Sequence, residues 1–141
     1  MPREICSITK VYHFSAGHRL FLKDVSEEEN FRIFGKCTNP KGHGHDYYLE
    51  VRVSGHIDPD TGMIISISEL DDITGDVIDE LDHKRLDIEV PYFTDVQASG
   101  ENIVKYFWLQ LRPRIKKGEL SYLKLWETQN NYFEYFEEEP S

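Results

Sequence analysis

Cysteine is scarce in this chain: only Cys6 and Cys37 stand among 141 residues. Two thiols cannot build the disulfide frame of a small secreted domain. No apolar run is long enough for a signal peptide or a membrane-crossing helix. Both absences point to a reduced, cytoplasmic chain. Basic residues are in deficit, with 16 Lys and Arg against 26 Asp and Glu, for a net charge of −10. That balance argues against nucleic acid and membrane partners, which are held through cation–phosphate contacts. An anionic small substrate stays open, because a local cation cluster or a bound metal can dominate a cleft. Repeats and Pro- or Gly-rich linkers are missing too, so residues 1–141 are expected to form one domain.

What is present fits a globular domain: 39% apolar and 13% aromatic residues. The many Phe and Tyr are candidates for a subunit interface or for stacking on a flat ligand. Alternation predicts a strand over Ile5–Phe14, broken by Ser15-Ala16-Gly17, and a second over His45–Ile57. Asp58–Gly62 reads as a turn that returns the chain as a third strand, Met63–Ile67, in a hairpin. Ser26 has capping-box spacing before a short helix that Gly35 would end. Ser68 and Ser99 are placed to cap two longer helices, one running to Asp82-His83 and one to Leu111. Leu120–Glu127 and Asn131–Phe136 make a closing hairpin, and Glu137–Ser141 reads as a solvated acidic tail. The order predicts an α+β fold with a mainly antiparallel sheet and helices on one face.

The most informative stretch runs from Cys37 to Tyr47, CTNPKGHGHDY. Strand side chains alternate, so His43 and His45 share a face with Tyr47, Leu49, Val51 and Val53. Two imidazoles at i and i+2 can reach one metal ion, and Gly42 and Gly44 would leave space for it. With His18 as a third ligand the set suits zinc and keeps a fourth position open, the mark of a catalytic site. The competing view is that these histidines line a polar loop. No local pattern ties His18 to the other two.

Cys37 can be a fourth ligand, a thiolate base or a small buried hydrophobe; Cys6, mid-strand, is read as the last of these. Asp82-His83 alone is weak, and a surface dipeptide in a charged run is the preferred reading. Glu127 ends an apolar alternation, so its carboxylate is expected to point inward and need a partner. That partner is either the paired N–H groups of a ligand or the adjacent turn. His13 and His56 read as ordinary strand or turn residues.

At these residues the chain resembles the 6-pyruvoyltetrahydropterin synthase family, whose members share the T-fold. The landmarks are Phe14–Leu20, Phe34–Cys37, Gly42–Tyr47, Ile57–Met63, Leu81–Lys84, Val90–Phe93, Glu101-Asn102 and Glu127-Thr128. The resemblance implies a four-stranded antiparallel sheet, one strand being open to splitting, with two helices on one face. It implies that His18, His43 and His45 bind Zn2+, that Cys37 is catalytic with Asp82 and His83, and that Glu127 anchors the pterin. A homohexamer, a dimer of trimers with active sites between subunits, is implied as well.

The implied reaction turns 7,8-dihydroneopterin triphosphate into 6-pyruvoyl-5,6,7,8-tetrahydropterin with elimination of triphosphate, in a pathway of tetrahydrobiopterin type. Cys37 precedes His43 by six residues, a longer spacing than in the 6-carboxytetrahydropterin synthases of queuosine synthesis, which remain the alternative. A second alternative is a zinc-stabilised pterin-binding module without turnover. Gly100 departs from the hydroxyl-bearing residues usual in pyruvoyl-type enzymes, and Gly17 from a serine. Lys36, Lys41, Lys84 and Arg85 are the cations nearest the site in sequence and so the candidates for the triphosphate.

Overall fold

A computed structural model describes residues 4–138. Strand β1 (Cys6–His18) does not stop at Phe14. It continues through Ser15-Ala16-Gly17 because β2 (His43–Gly55) pairs with it along its full length, from Cys6 opposite Gly55 to His18 opposite His43. Between these strands Ser26 caps α1 (Glu27–Phe34), its Oγ accepting the Glu29 N–H at 3.1 Å. Gly35 ends α1 with φ of 60°, and a 3-10 turn over Gly35–Thr38 follows.

The third strand expected at Met63–Ile67 does not form. Gly62 N–H bonds back to the Asp58 carbonyl at 2.7 Å, and the chain leads straight into α2 (Ile67–Asp79). Both edges of β2 are already taken, by β1 on one side and β4 (Glu119–Thr128) on the other, so a hairpin partner has nowhere to pair. Ser66 rather than Ser68 caps α2, accepting the Glu69 N–H at 3.0 Å. Leu81, Asp82 and His83 form a turn beyond the helix, not its last residues.

The extra strand is instead β3 (Lys84–Arg85), parallel to β1 at Ala16 and Gly17. After α3 (Leu86–Glu89), Ser99 caps α4 (Gly100–Leu111), and β4 pairs with β5 (Asn131–Tyr135). The sheet order is β3-β1-β2-β4-β5: four long antiparallel strands and a two-residue parallel edge.

One sheet face is dry. Phe14, Tyr47, Leu49, Val51, Leu123 and Leu125 point at α2 and α4 and are at most 1% exposed. Phe14 stacks on Tyr47 at 4.9 Å and meets Phe107 of α4 at 5.4 Å between centroids. The other face is aromatic yet uncovered: Val11, Tyr48 and Tyr132 are exposed, and Lys124 lies 3.9 Å over the Tyr132 ring. At the chain's end Glu137 accepts the Trp108 indole N–H at 2.8 Å, so this part of the acidic segment is docked. Glu139, Pro140 and Ser141 lie outside the described residues. Among the described residues, no helix is long and apolar enough to cross a membrane.

Candidate active site

The pairing of β1 with β2 builds the centre. His18 stands opposite His43, and Ala16 opposite His45, so all three imidazoles emerge on the dry face at its rim. Ring centroids are 4.5 Å apart for His18–His43, 5.3 Å for His18–His45 and 4.9 Å for His43–His45. One nitrogen of each lies within 4.8 Å of the other two, a spacing that one cation can span. His18 Nδ1 is 2.5 Å from the Ala98 carbonyl oxygen. A carbonyl only accepts, so the proton sits on Nδ1 and the lone pair on Nε2.

His18 Nε2, His43 Nδ1 and His45 Nε2 are buried and have no hydrogen-bond partner among the described residues. Three such orphans converging on one point are costly unless something fills them. A divalent metal with nitrogen preference fits that donor set. Burial holds the His43 and His45 imidazoles below their usual range, against the opposite pull of Glu127. Both are therefore neutral near pH 7, as ligation requires.

Cys37 comes to this centre through the chain that follows His18. Leu20 N–H donates to the Cys37 carbonyl at 2.9 Å, and Arg19 Nε donates to the Thr38 carbonyl at 2.8 Å. The thiol is free and half-buried, whereas Cys6, expected to be buried, is exposed at the end of β1. Glu127 sits at a bulge of β4 between Trp126 and Thr128, and its Oε1 accepts the Asn131 amide at 3.4 Å. Its charge pulls upward on the His43 and His45 imidazoles and on the Tyr47 phenol.

Tyr47 is a site residue that the sequence reading placed on the right face without giving it a role. Its ring is fully buried edge-on to His18 and His45, and its hydroxyl has no partner among the described residues. Burial, then the Glu127 and Cys37 charges, push the phenol upward, so it remains a donor at any working pH.

Asp82 and His83 are locked to Ser15. The Ser15 N–H donates to Asp82 Oδ1 at 2.9 Å, and the His83 N–H to the Ser15 carbonyl at 2.6 Å. His83 holds a left-handed φ of 61° and sets Nδ1 2.9 Å from Asp82 Oδ1, with its side chain 81% exposed. The Ser15 amide keeps the Asp82 carboxyl below its usual range. Ser15 Oγ also bonds Asp46 Oδ1 at 2.5 Å, on the uncovered face of the sheet. Among the described residues, no hydrogen bond or ion pair joins this pair to Cys37, Glu127 or the three imidazoles.

Of the two motif glycines, Gly42 is the one with no room for a side chain. A Cβ at Gly42, where φ is 73°, would lie 2.5 Å from the Arg85 guanidinium carbon, and one at Gly44 would meet the Ala16 carbonyl at 3.4 Å. Arg85 is itself engaged, bonding Asp87 at 2.6 and 3.0 Å and the Lys41 carbonyl at 3.1 Å.

The model of the family described as 6-pyruvoyl tetrahydropterin synthase matches residues 7–138. A Homo sapiens 6-pyruvoyl tetrahydrobiopterin synthase is 45% identical over 129 residues, spanning 91% of this chain and 89% of the human one. The Drosophila melanogaster protein of that name is 43% identical over 93% of this chain and 79% of its own. The structure of Caenorhabditis elegans 6-pyruvoyl tetrahydropterin synthase superposes with a TM-score of 0.90 at 34% identity, covering 96% of this chain and 97% of that one. The strand pairing, the imidazole cluster and these likenesses agree, and the chain belongs to the 6-pyruvoyl tetrahydropterin synthase family.

Proposed function

We propose that this lyase converts 7,8-dihydroneopterin triphosphate to 6-pyruvoyl-5,6,7,8-tetrahydropterin and triphosphate. The observation that carries the reading is the trio of unpartnered imidazole nitrogens beside a free thiol and an unneutralised carboxylate. Zinc is the metal we assign to His18, His43 and His45; when bound it supplies Lewis acidity to the substrate's side-chain oxygens. Glu127 accepts the pterin's 2-amino and N3 protons as a charge-assisted pair. Cys37, as thiolate, takes the carbon proton, and Asp82–His83 performs a second proton transfer. Triphosphate leaves by elimination, so no water is consumed, and the ring gains the electrons that the side chain loses.

The separation of Asp82–His83 from the imidazole face favours an assembly in which one subunit's pair completes a neighbour's site. A homohexamer built as a dimer of trimers satisfies this, and the uncovered aromatic face offers the surface for it. Two free thiols suit the cytoplasm. Mass spectrometry of the products from zinc-loaded protein and 7,8-dihydroneopterin triphosphate tests the reading. A pyruvoyl product with triphosphate supports it. A carboxy product with acetaldehyde moves the chain to the queuosine-type reaction, and binding without product makes it a pterin-binding module.

A further inference from the structure

Gly100 is a glycine whose backbone does not ask for one. It is the first residue of α4, outside the set of positive-φ glycines, and glycine inside a helix costs about 0.5–1 kcal/mol against alanine. Its reason lies across the site. A Cβ at Gly100 would stand 2.0 Å from Cε2 of Phe133, 2.3 Å from Cδ2 and 2.4 Å from Cζ. The Phe133 ring is seated in the notch that the missing side chain leaves.

That notch belongs to the candidate active site. Ala98, two residues before Gly100, supplies the carbonyl that orients His18. Phe133 pairs with Leu125 across β4 and β5, and the next residues inward on the two strands are Glu127 and Asn131, joined at 3.4 Å. Phe133 is thus the diagonal neighbour of Glu127, within reach of a large side chain or a ligand held there. Its ring is only partly buried, so part of it is left open.

We propose that Phe133 is a substrate-binding residue: its ring, admitted by Gly100, forms the aromatic wall against which the substrate's pterin packs while Glu127 holds the ring's N–H edge. A flat heteroaromatic gains from such a wall whatever its substituents, as nucleobases do on aromatic side chains. The wall acts on binding of the ring, far from the proton transfers, so its loss raises KM and leaves kcat. The proposal rests on the pterin-lyase reading above.

The test compares Phe133→Leu, Gly100→Ala and Gly100→Ala/Phe133→Val with the full wild-type chain, all zinc-loaded. KM and kcat are read with 7,8-dihydroneopterin triphosphate, and Kd with oxidised neopterin by quenching of tryptophan fluorescence. Leucine keeps the apolar bulk but not the flat face. Phe133→Leu is expected to raise KM and Kd about tenfold, the order of one base–aromatic stack, with kcat and zinc content kept. Gly100→Ala is expected to melt below wild type and the double variant to recover.

A folded Phe133→Leu with wild-type KM and Kd would make the ring packing only and overturn the proposal. Gly100→Ala melting like wild type would remove the notch. Wild-type protein that neither turns over nor binds neopterin would instead sink the lyase reading and this wall with it, a result distinct from the other two.

Discussion

The Nδ1 of His18 and the carbonyl oxygen of Ala98 are 2.5 Å apart, which ties the imidazole cluster to the residue just ahead of the capped start of α4. This bond fixes the tautomer and leaves Nε2 facing His43 and His45 without a partner among the described residues. Zinc binding is therefore expected to stabilise a fold already built. After chelation the far-UV spectrum should persist, since the core of β2, β4 and α4 is apolar and dry. The melting temperature should fall, and it should return on adding zinc at one equivalent per chain. At about 100 times its Kd the ion stabilises by about 2.7 kcal/mol. Collapse of the far-UV signal on chelation would mean a structural metal instead.

Glu127 carries the prediction on substrate binding. Among the described residues, the one hydrogen bond to its carboxylate is the long one from Asn131, which leaves most of its acceptor capacity for a ligand. Glu127→Gln keeps the shape, loses the charge and presents an amide N–H to the pterin's own donors. Hydrogen bonds to a charged group are worth about 1.5–3 kcal/mol, so KM should rise by roughly 10- to 100-fold. Zinc content should not change. A variant with unaltered KM would return Glu127 to the turn it borders.

Much of this was legible in the sequence, and the exceptions share a cause. The i, i+2 alternation placed His43, His45 and Tyr47 on one face because a strand's period needs no tertiary context. His18 was not tied to them, because Ser15-Ala16-Gly17 reads as a break. In the fold those small residues continue β1, where β2 and β3 pair on its two edges at Ala16 and Gly17. Met63–Ile67 failed in the opposite sense: it has the composition of a strand, but both edges of β2, its hairpin partner, are taken. Gly100 announced itself as a departure, yet its meaning depends on Phe133, 33 residues later in sequence. Local pattern carries periodicity; it cannot carry which edge is taken or which ring fills a notch.

Lys10, Tyr12 and Asp71 give a pH prediction away from the site. Lys10 Nζ meets both Asp71 oxygens at 2.6 and 2.7 Å, and the Tyr12 hydroxyl donates to Oδ1 at 2.8 Å, fastening β1 to α2. The Lys10 bond first, then Tyr12, hold the Asp71 carboxyl below its usual range. A depressed carboxylate contributes stability that is full above the unfolded pKa of about 3.9 and is lost as pH falls through the folded value. Asp71→Asn should thus melt lower than wild type from pH 5 to 8 on the flat part of the curve. The gap should close as the pH drops below the carboxylate range. Melting curves of the pair across pH 2–8 decide it, and a gap constant with pH would assign the loss to packing.

Cys37 and His83 test where the proton-transfer groups come from. Ser15, which holds Asp82 and His83, alternates on β1 with Phe14 and His18, so it bonds Asp46 on the face turned away from the imidazoles. Cys37 is instead held by Leu20, two residues after His18. Cys37→Ala and His83→Ala should each lose about 10²- to 10⁴-fold in kcat, the usual share of one general acid or base, while keeping zinc. Unfolded and reassembled together in equal amounts, the two variants should recover activity. If each site takes Cys37 from one subunit and Asp82–His83 from a neighbour, random mixing in a symmetric oligomer leaves about a quarter of sites with both groups intact. A site made within one chain can recover nothing, because every chain in the mixture lacks one of the two. Activity of the mixture against that of each variant, at matched zinc content, therefore separates a shared site from a private one.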